Sequence, residues 1–368
     1  MVLCTLVALH KKQLPTWLEE GITGALRLAT LPLHVAGLEA SLAWARGAAR
    51  LVPRVMPRRF ERAVLNLRDA FPEWTEERVR AGAIASYEHF LQTSVEFVFL
   101  PRLISQEGFA RQLELGDLSA GLKALLGDRP CMMMTGHVGN WELVGFAISM
   151  LGFPIHAVYR PFAMRPLDAW VREGRARRGL TLVSKFGAAG ELSRLAAPGR
   201  PLGLVADQTG GENGIFVPFF GRLTSTHKSV ALLAMQSGAT LVCGYARRLS
   251  REERAARGED GGDRLGMVIE LVDVFGPADW QGQSDPQFYI SARYRRAMEM
   301  MVRRNPEQYL WMHRVWKARP PHERNGKAFP ERLREKLLGL PWMTREAVGE
   351  IEARSERDAG NLARFGPD

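Results

Sequence analysis

A histidine and a glutamate five positions apart define the chemistry open to this chain. His137 lies in Thr135-Gly-His-Val-Gly139, directly after the apolar run Cys131-Met-Met-Met134. Glu142 follows, at the start of a helical pattern that Asn140 can cap. Such a run, turn and pattern read as strand, turn and helix. In a parallel α/β sheet these turns sit at the carboxyl ends of strands, where ligands bind. An imidazole there can be a general base toward a hydroxyl. A carboxylate kept ionised near a helix N-terminus can fix its tautomer and stabilise the imidazolium. The plainer alternative is a satisfied loop histidine beside a capping glutamate, and spacing alone favours it. Nothing around His137 has zinc-ligand spacing, and no Gly-x-Ser-x-Gly elbow offers a nucleophile.

Other polar residues fall at other expected strand ends. Residues 153–159 read as a strand ending at Arg160, whose guanidinium can clamp phosphate. Residues 201–206 read as a strand ending at Asp207-Gln208, with Asp207 expected to orient Arg160 or a substrate hydroxyl. The loop 209–214 is glycine-rich but lacks the Gly-Lys-Ser/Thr ending of a P-loop. The segment 215–220, IFVPFF, is conspicuously apolar and is expected to wall an apolar channel or touch a bilayer, or else to pack in the core. Thr224 to Lys228 reads as the start of a helix whose first amides and hydroxyls make an anion site.

Around these residues the pattern predicts an α/β fold. A helix is expected over 60–70, another from a Thr75 cap over about 76–100, and strands over 181–183, 240–246 and 267–275, the last at a sheet edge. Further helices are expected over 118–126, 188–197 and 285–304, with a closing helix over 306–317. His313 in that closing helix is read as structural or peripheral. The loop 251–264 is expected to be mobile.

His137-Val-Gly-Asn-Trp-Glu142 resembles the His-x-x-x-x-acidic motif of glycerolipid-type acyltransferases. With Gly136 it resembles the Gly-His-x-Gly-Asn-Trp-Glu form of the bacterial lipid A biosynthesis (lauroyl/myristoyl) acyltransferase family, which includes mycobacterial phosphatidylinositol mannoside acyltransferases. Val158-Tyr-Arg-Pro161, Asp207-Gln208, Phe216-Val-Pro-Phe-Phe-Gly221 and Asn305-Pro-Glu-Gln-Tyr-Leu-Trp-Met-His-Arg314 resemble later segments of that family, in order. Pro57-Arg-Arg, Asn66-Leu and Phe71-Pro-Glu resemble its entry region, so the likeness spans roughly residues 55 to 320. The resemblance implies a mixed, mostly parallel sheet flanked by helices, preceded by a helical N-terminal segment. It implies transfer of an acyl group from acyl carrier protein or coenzyme A thioester, as co-substrate, to a hydroxyl of a membrane glycolipid. His137 would take the proton and Glu142 would orient it, with no acyl-enzyme and no metal or redox cofactor. Asn140, Arg160, Asp207, Gln208, Phe216 and Phe219 would bind substrate. Oxyanion donors would be the N–H groups of Gly139 and Asn140, or Arg160.

The net charge of +10 favours an anionic partner: a membrane surface, a phosphorylated glycolipid or an acidic carrier protein. The densest basic run is Arg165, Arg172, Arg175, Arg177 and Arg178. No aromatic interleaving supports nucleic-acid binding. Three well-separated cysteines suggest neither a disulfide framework nor a metal cluster, which suits a reducing compartment. Residues 1–10 are mildly apolar, but Lys11 and Lys12 follow that run rather than precede it, the wrong order for a secretory signal. The region 17–52 is too interrupted by charge to span a bilayer, whereas many of the resembled family carry an anchor there. Two amphipathic helices, about 15–30 and 33–52, are expected to lie on a bilayer or, equally, to pack on the domain. The expected location is the cytoplasmic face of the inner membrane, peripheral or monotopic. The chain divides into a helical segment 1–55, a domain 56–322 and a charged tail 323–368, of which 346–368 is expected to be a solvated helix or disordered. Rival readings are a thioester hydrolase using the same pair on water, and a non-catalytic lipid-binding protein on the same fold.

Overall fold

The computed structural model describes residues 14–104, 112–176, 179–184, 192, 194–258 and 265–365. Met1 to His10, Arg177, Arg178 and residues 188–191 and 193 of the helix expected over 188–197 lie outside them. The N-terminal part is helical: α1 (Thr16–Leu28), α2 (Leu31–Ala36), α3 (Leu38–Ala49), α4 (Val52–Val55), α5 (Pro57–Ala70) and α6 (Glu76–Leu103). Then come β1 (Leu113–Leu115), α7 (Ser119–Leu126), β2 (Cys131–Thr135), α8 (Trp141–Met150), β3 (His156–Tyr159), α9 (Arg165–Ala176), β4 (Thr181–Ser184) and β5 (Leu202–Val205). A hairpin of β6 (Ile215–Phe219) and β7 (Arg222–Thr226) leads to α10 (Lys228–Ser237), β8 (Thr240–Arg248), α11 (Arg251–Ala256), β9 (Met267–Phe275), α12 (Pro277–Trp280) and α13 (Pro286–Arg304). The chain closes with α14 (Pro321–Arg324), α15 (Glu331–Leu338) and α16 (Arg345–Phe365).

Seven strands form one sheet in the order β1-β9-β8-β2-β5-β3-β4. Every pairing is parallel except β8 with β9. The sheet is thus mixed and mostly parallel, with helices around it, as the sequence predicts. Its centre is β2, apolar on both faces because both are covered. The expectation of an edge strand at 267–275 is corrected: β9 lies between β8 and β1, and the short β1 takes the edge. Thr75 caps α6 by accepting from Arg78 N–H at 3.3 Å, as expected.

Four further expectations need correction. Residues 306–317 do not form a helix. Pro306–Gln308 is a single 3-10 turn, and Tyr309 then bridges Val138 in an antiparallel pair. Docking of Gln308 and Leu310 on the His137 turn fixes that bridge, and the chain then proceeds through turns to residue 317. Residues 224–226 are strand rather than helix start. The Thr224, Ser225 and Thr226 hydroxyls are buried and donate to Val315 O, Gly211 O and Ile215 O, so they form no anion site. The loop expected from residue 251 begins as α11, closed by a Ser250–Glu253 capping box. The C-terminal tail is helical and packed: Leu337, Leu340, Val348 and Ile351 join the main core. A buried ion network ties it down, with Arg319 on Glu323 (2.7 Å) and Asp358 (2.6 Å), and Arg222 of β7 on Asp358 (2.6 Å) and Asp69 (2.8 Å).

The N-terminal helices pack on the domain and leave large apolar side chains exposed. Leu38, Leu42 and Ala45 of α3 are buried in a core cluster with Val95, Phe99 and Leu100 of α6. Trp17, Leu28, Leu31, Val35 and Trp44 remain exposed, Val35 to 89%. Among the described residues no helix is long and apolar enough to cross a membrane.

Candidate active site

Register explains how the site is assembled. In the parallel pair β2–β5, Thr135 is aligned with Val205, the last residue of each strand. Ala206 N–H continues the ladder onto Thr135 O at 2.9 Å. His137 and Asp207 each lie two residues beyond those ends, so they emerge side by side. Asp207 grips His137 twice: Oδ1 is 2.7 Å from Nδ1, and Oδ2 accepts the His137 backbone N–H at 3.0 Å. Burial works to raise the Asp207 carboxyl, but His137, His313 and Arg295 outweigh it and hold it well below the usual range. An ionised carboxylate only accepts, so Nδ1 carries the proton and Nε2 is left as the acceptor.

The pairing expected between His137 and Glu142 is corrected accordingly. Glu142, in the first turn of α8, is held in a bidentate pair by Arg175 of α9, with Nε at 2.9 Å. A guanidinium satisfies that carboxylate better than a neutral ring, and Asp207 already occupies the ring's Nδ1. Asp207 likewise does not orient Arg160. We expect Glu142→Ala and Arg175→Ala each to cost about 1–3 kcal/mol of stability, with the double variant no worse than either single one. Chemical denaturation of the four proteins in a mutant cycle tests this, and additive losses would refute it.

The turn after β2 is held from below and from the far end of the chain. Gly139 N–H donates to Gln308 O at 2.9 Å, Asn140 N–H to Ala246 O at 2.7 Å, and Leu310 N–H to His137 O at 3.0 Å. Asn140 is fully buried and its side chain caps α8 through Leu143 N–H. Its amide also donates to the buried Glu96 at 2.8 Å, and Arg248 reaches the same carboxylate at 2.5 Å. The expectations of Asn140 as a substrate-binding residue, and of the Gly139 and Asn140 amides as oxyanion donors, are therefore overturned. Gly139 itself is required: its φ is +61°, and a Cβ there would lie 2.1 Å from Ala246 O.

His313 is not peripheral. Its ring meets the His137 ring edge-on at 4.7 Å between centroids, with Trp141 at 4.9 Å from His137. Donor atoms of His137, Asp207 and His313 all lie within 4.8 Å of one another, a set that a divalent transition metal can use. This cluster is tertiary, so no local ligand spacing announces it. Beneath it, the fully buried Arg295 donates to Asp207 O at 2.5 Å and sits 4.1 Å over the Phe219 ring. Phe219 is thus core and does not wall an open channel. Phe216 is half-buried and lines an open cleft of about 440 Å³ with Phe288, Leu333, Lys228 and Arg332. Arg160 and Gln208 are exposed at the ends of β3 and β5. Sequence reasoning missed Glu96, Arg248, Gln308 and Arg295, since none stands in a motif next to His137.

Burial, then the neighbouring His137, pushes His313 down to about 4 despite the Asp207 charge. Burial, then Arg248, pushes His89, which donates to Gly139 O, down to about 3. Both rings are ordinarily at 6.5, so between pH 6.5 and about 4 the unfolded chain binds more protons than the folded one. Stability is therefore lost as pH falls through that window. The thermal midpoint should drop by about 5 °C or more between pH 7 and pH 4.5, and His313→Asn should flatten the slope. An unchanged slope in that variant would count against the assignment.

Comparison with known proteins follows the same lines. A family model described as bacterial lipid A biosynthesis acyltransferase matches residues 9–256. The chain is 26% identical over 205 residues to a lipid A biosynthesis palmitoleoyltransferase of Escherichia coli (strain K12), covering 55% of this chain and 60% of that protein. The same figures hold for a lipid A biosynthesis acyltransferase of Shigella flexneri. It is 25% identical over 282 residues to a lipid A biosynthesis lauroyltransferase of Escherichia coli (strain K12), covering 74% of this chain and 84% of that protein.

Proposed function

We propose, from the premise that the chain belongs to the bacterial lipid A biosynthesis acyltransferase family, that it moves a fatty acyl group from a thioester to a hydroxyl of a lipid A-type glycolipid. The observation that carries this reading is the Asp207–His137 pair, 2.7 Å apart at adjacent strand ends. Nε2 takes the acceptor hydroxyl's proton as the oxygen attacks the thioester carbonyl. The C–S bond then breaks, and the imidazolium returns the proton to the departing thiolate. Asp207 holds the ring in the productive tautomer and stabilises its charged form. The donor is acyl carrier protein or coenzyme A thioester, and the +10 charge suits either. Exposed Arg160 suits a phosphate of donor or acceptor. The protein works on the cytoplasmic membrane surface, with Trp17, Val35 and Trp44 of the N-terminal helices against the bilayer.

The test is transfer of radiolabelled acyl groups, from carrier protein and from coenzyme A separately, into a total lipid extract. Wild type should label a glycolipid, and His137→Ala should lower that label at least about a hundredfold. Label only in free fatty acid would replace this reading with a thioester hydrolase. No transfer from either donor, with liposome binding intact, would replace it with a lipid-binding protein.

A further inference from the structure

Attack on a thioester puts negative charge on the carbonyl oxygen, and something must donate to it. The usual source, the backbone of the catalytic turn, is bonded elsewhere or buried here. His137 N–H goes to Asp207, Gly139 N–H to Gln308 and Asn140 N–H to Ala246. Val138 holds the non-hydrogen-bonded position of its bridge with Tyr309, and the residue is fully buried, so its N–H does not face substrate. Arg160 follows β3, which is separated from β2 by β5, so its backbone stands about 10 Å away. Arg295 is fully buried beneath Asp207.

We propose that His313 donates a hydrogen bond to the oxyanion formed on the thioester carbonyl. The proposal rests on the acyl-transfer reading of the same site. The His313 ring lies beside the His137 ring at 4.7 Å, and ring nitrogens of the two come within 4.8 Å. An oxygen held by His313 is then within one acyl group's width of the hydroxyl that His137 activates. The backbone of His313 is fixed: its N–H donates to Leu310 O at 3.1 Å, and Asn66 Nδ2 donates to His313 O at 2.8 Å. Its ring nitrogens bond to no described residue, so one N–H is available to substrate. Burial keeps the ring neutral near pH 7, leaving it one donor and no charge. A neutral imidazole can polarise a carbonyl without quenching the basicity of its neighbour.

The test compares steady-state kinetics of wild type, His313→Ala and His313→Gln at pH 7.5, with His137→Ala alongside. His313→Ala should lower kcat by about a hundred- to a thousand-fold with KM changed less than about threefold. His313→Gln, which keeps an N–H donor, should recover at least about tenfold over Ala. If His313→Ala loses its thermal transition, His313→Leu replaces it as the donor-free variant. Equal losses in the donor-free and Gln variants, a rise in KM alone, or near-wild-type kcat would each overturn the donor role. Should His137→Ala keep full turnover, the base reading fails and this proposal fails with it. If His137→Ala is inactive and the donor-free variant is not, only the His313 role is lost.

Discussion

Asp207→Asn should lower single-turnover acyl transfer by about ten-thousand-fold while leaving the fold intact. The expected size follows from the two bonds that Asp207 makes. Its Oδ1 accepts from His137 Nδ1 at 2.7 Å, and its Oδ2 from the backbone N–H of the same residue at 3.0 Å. An amide of the same shape has one acceptor and one donor end. The backbone N–H needs the acceptor, so the NH₂ group turns toward Nδ1. The ring must then place its proton on Nε2, where the base is required. Burial removes any compensation by water, since Asp207 is 1% exposed. Rapid-quench measurement of a single turnover reads the loss directly. A fall of less than tenfold would show that Asp207 is not the partner that sets the tautomer. Glu142→Gln under the same assay tests the other carboxylate, whose charge serves Arg175 in this structure.

Gly139→Ala should also abolish most transfer, by at least about a hundredfold, for a steric reason. The backbone there is left-handed, with φ +61°, and the added methyl would lie 2.1 Å from Ala246 O and 2.9 Å from Ala246 C. Neither side can yield cheaply. Ala246 is fully buried in β8, and its carbonyl accepts the Asn140 N–H at 2.7 Å. Relief therefore moves the turn, and His137 with it. Gly152→Ala is the control. Its φ is +92°, but nothing lies within 4 Å of the added methyl. It carries the backbone strain without the collision, about 1–2 kcal/mol of stability, and should keep its kcat. If both variants behave alike in thermal melts and in turnover, backbone strain rather than the β8 contact is what Gly139 avoids.

Much of this was legible in the sequence, and the misses share one cause. The strand–turn–helix at 131–150, the Asn140 and Thr75 caps and the strands around β2, β3, β5 and β8 follow from local periodicity and capping chemistry. His137 and Asp207 were both visible as polar residues just past strand ends. Which strands are neighbours is not visible there, so local reading gives Asp207 to Arg160 or a substrate hydroxyl and Glu142 to His137. Strand order is a long-range property that residue spacing does not encode. Residues 306–317 failed for a related reason. Asn-Pro-Glu-Gln followed by apolar residues has helical character, but bonding to the His137 turn outweighs it. The tail misled because its core-facing residues are few among many charges. Several of those charges, such as Asp358, are buried on Arg222 and Arg319.

The docking of Gln308 and Leu310 onto the His137 turn has a consequence for synthesis. His137 and Asp207 leave the ribosome first, whereas the residues that hold the turn follow about 170 residues after His137, roughly 10–35 s later at ordinary elongation rates. Until then the Gly139 N–H and the His137 carbonyl lack their partners, and the ring of His137 has no His313 beside it. On the acyl-transfer reading, a nascent chain therefore has no assembled site until residues 308–313 have emerged and docked.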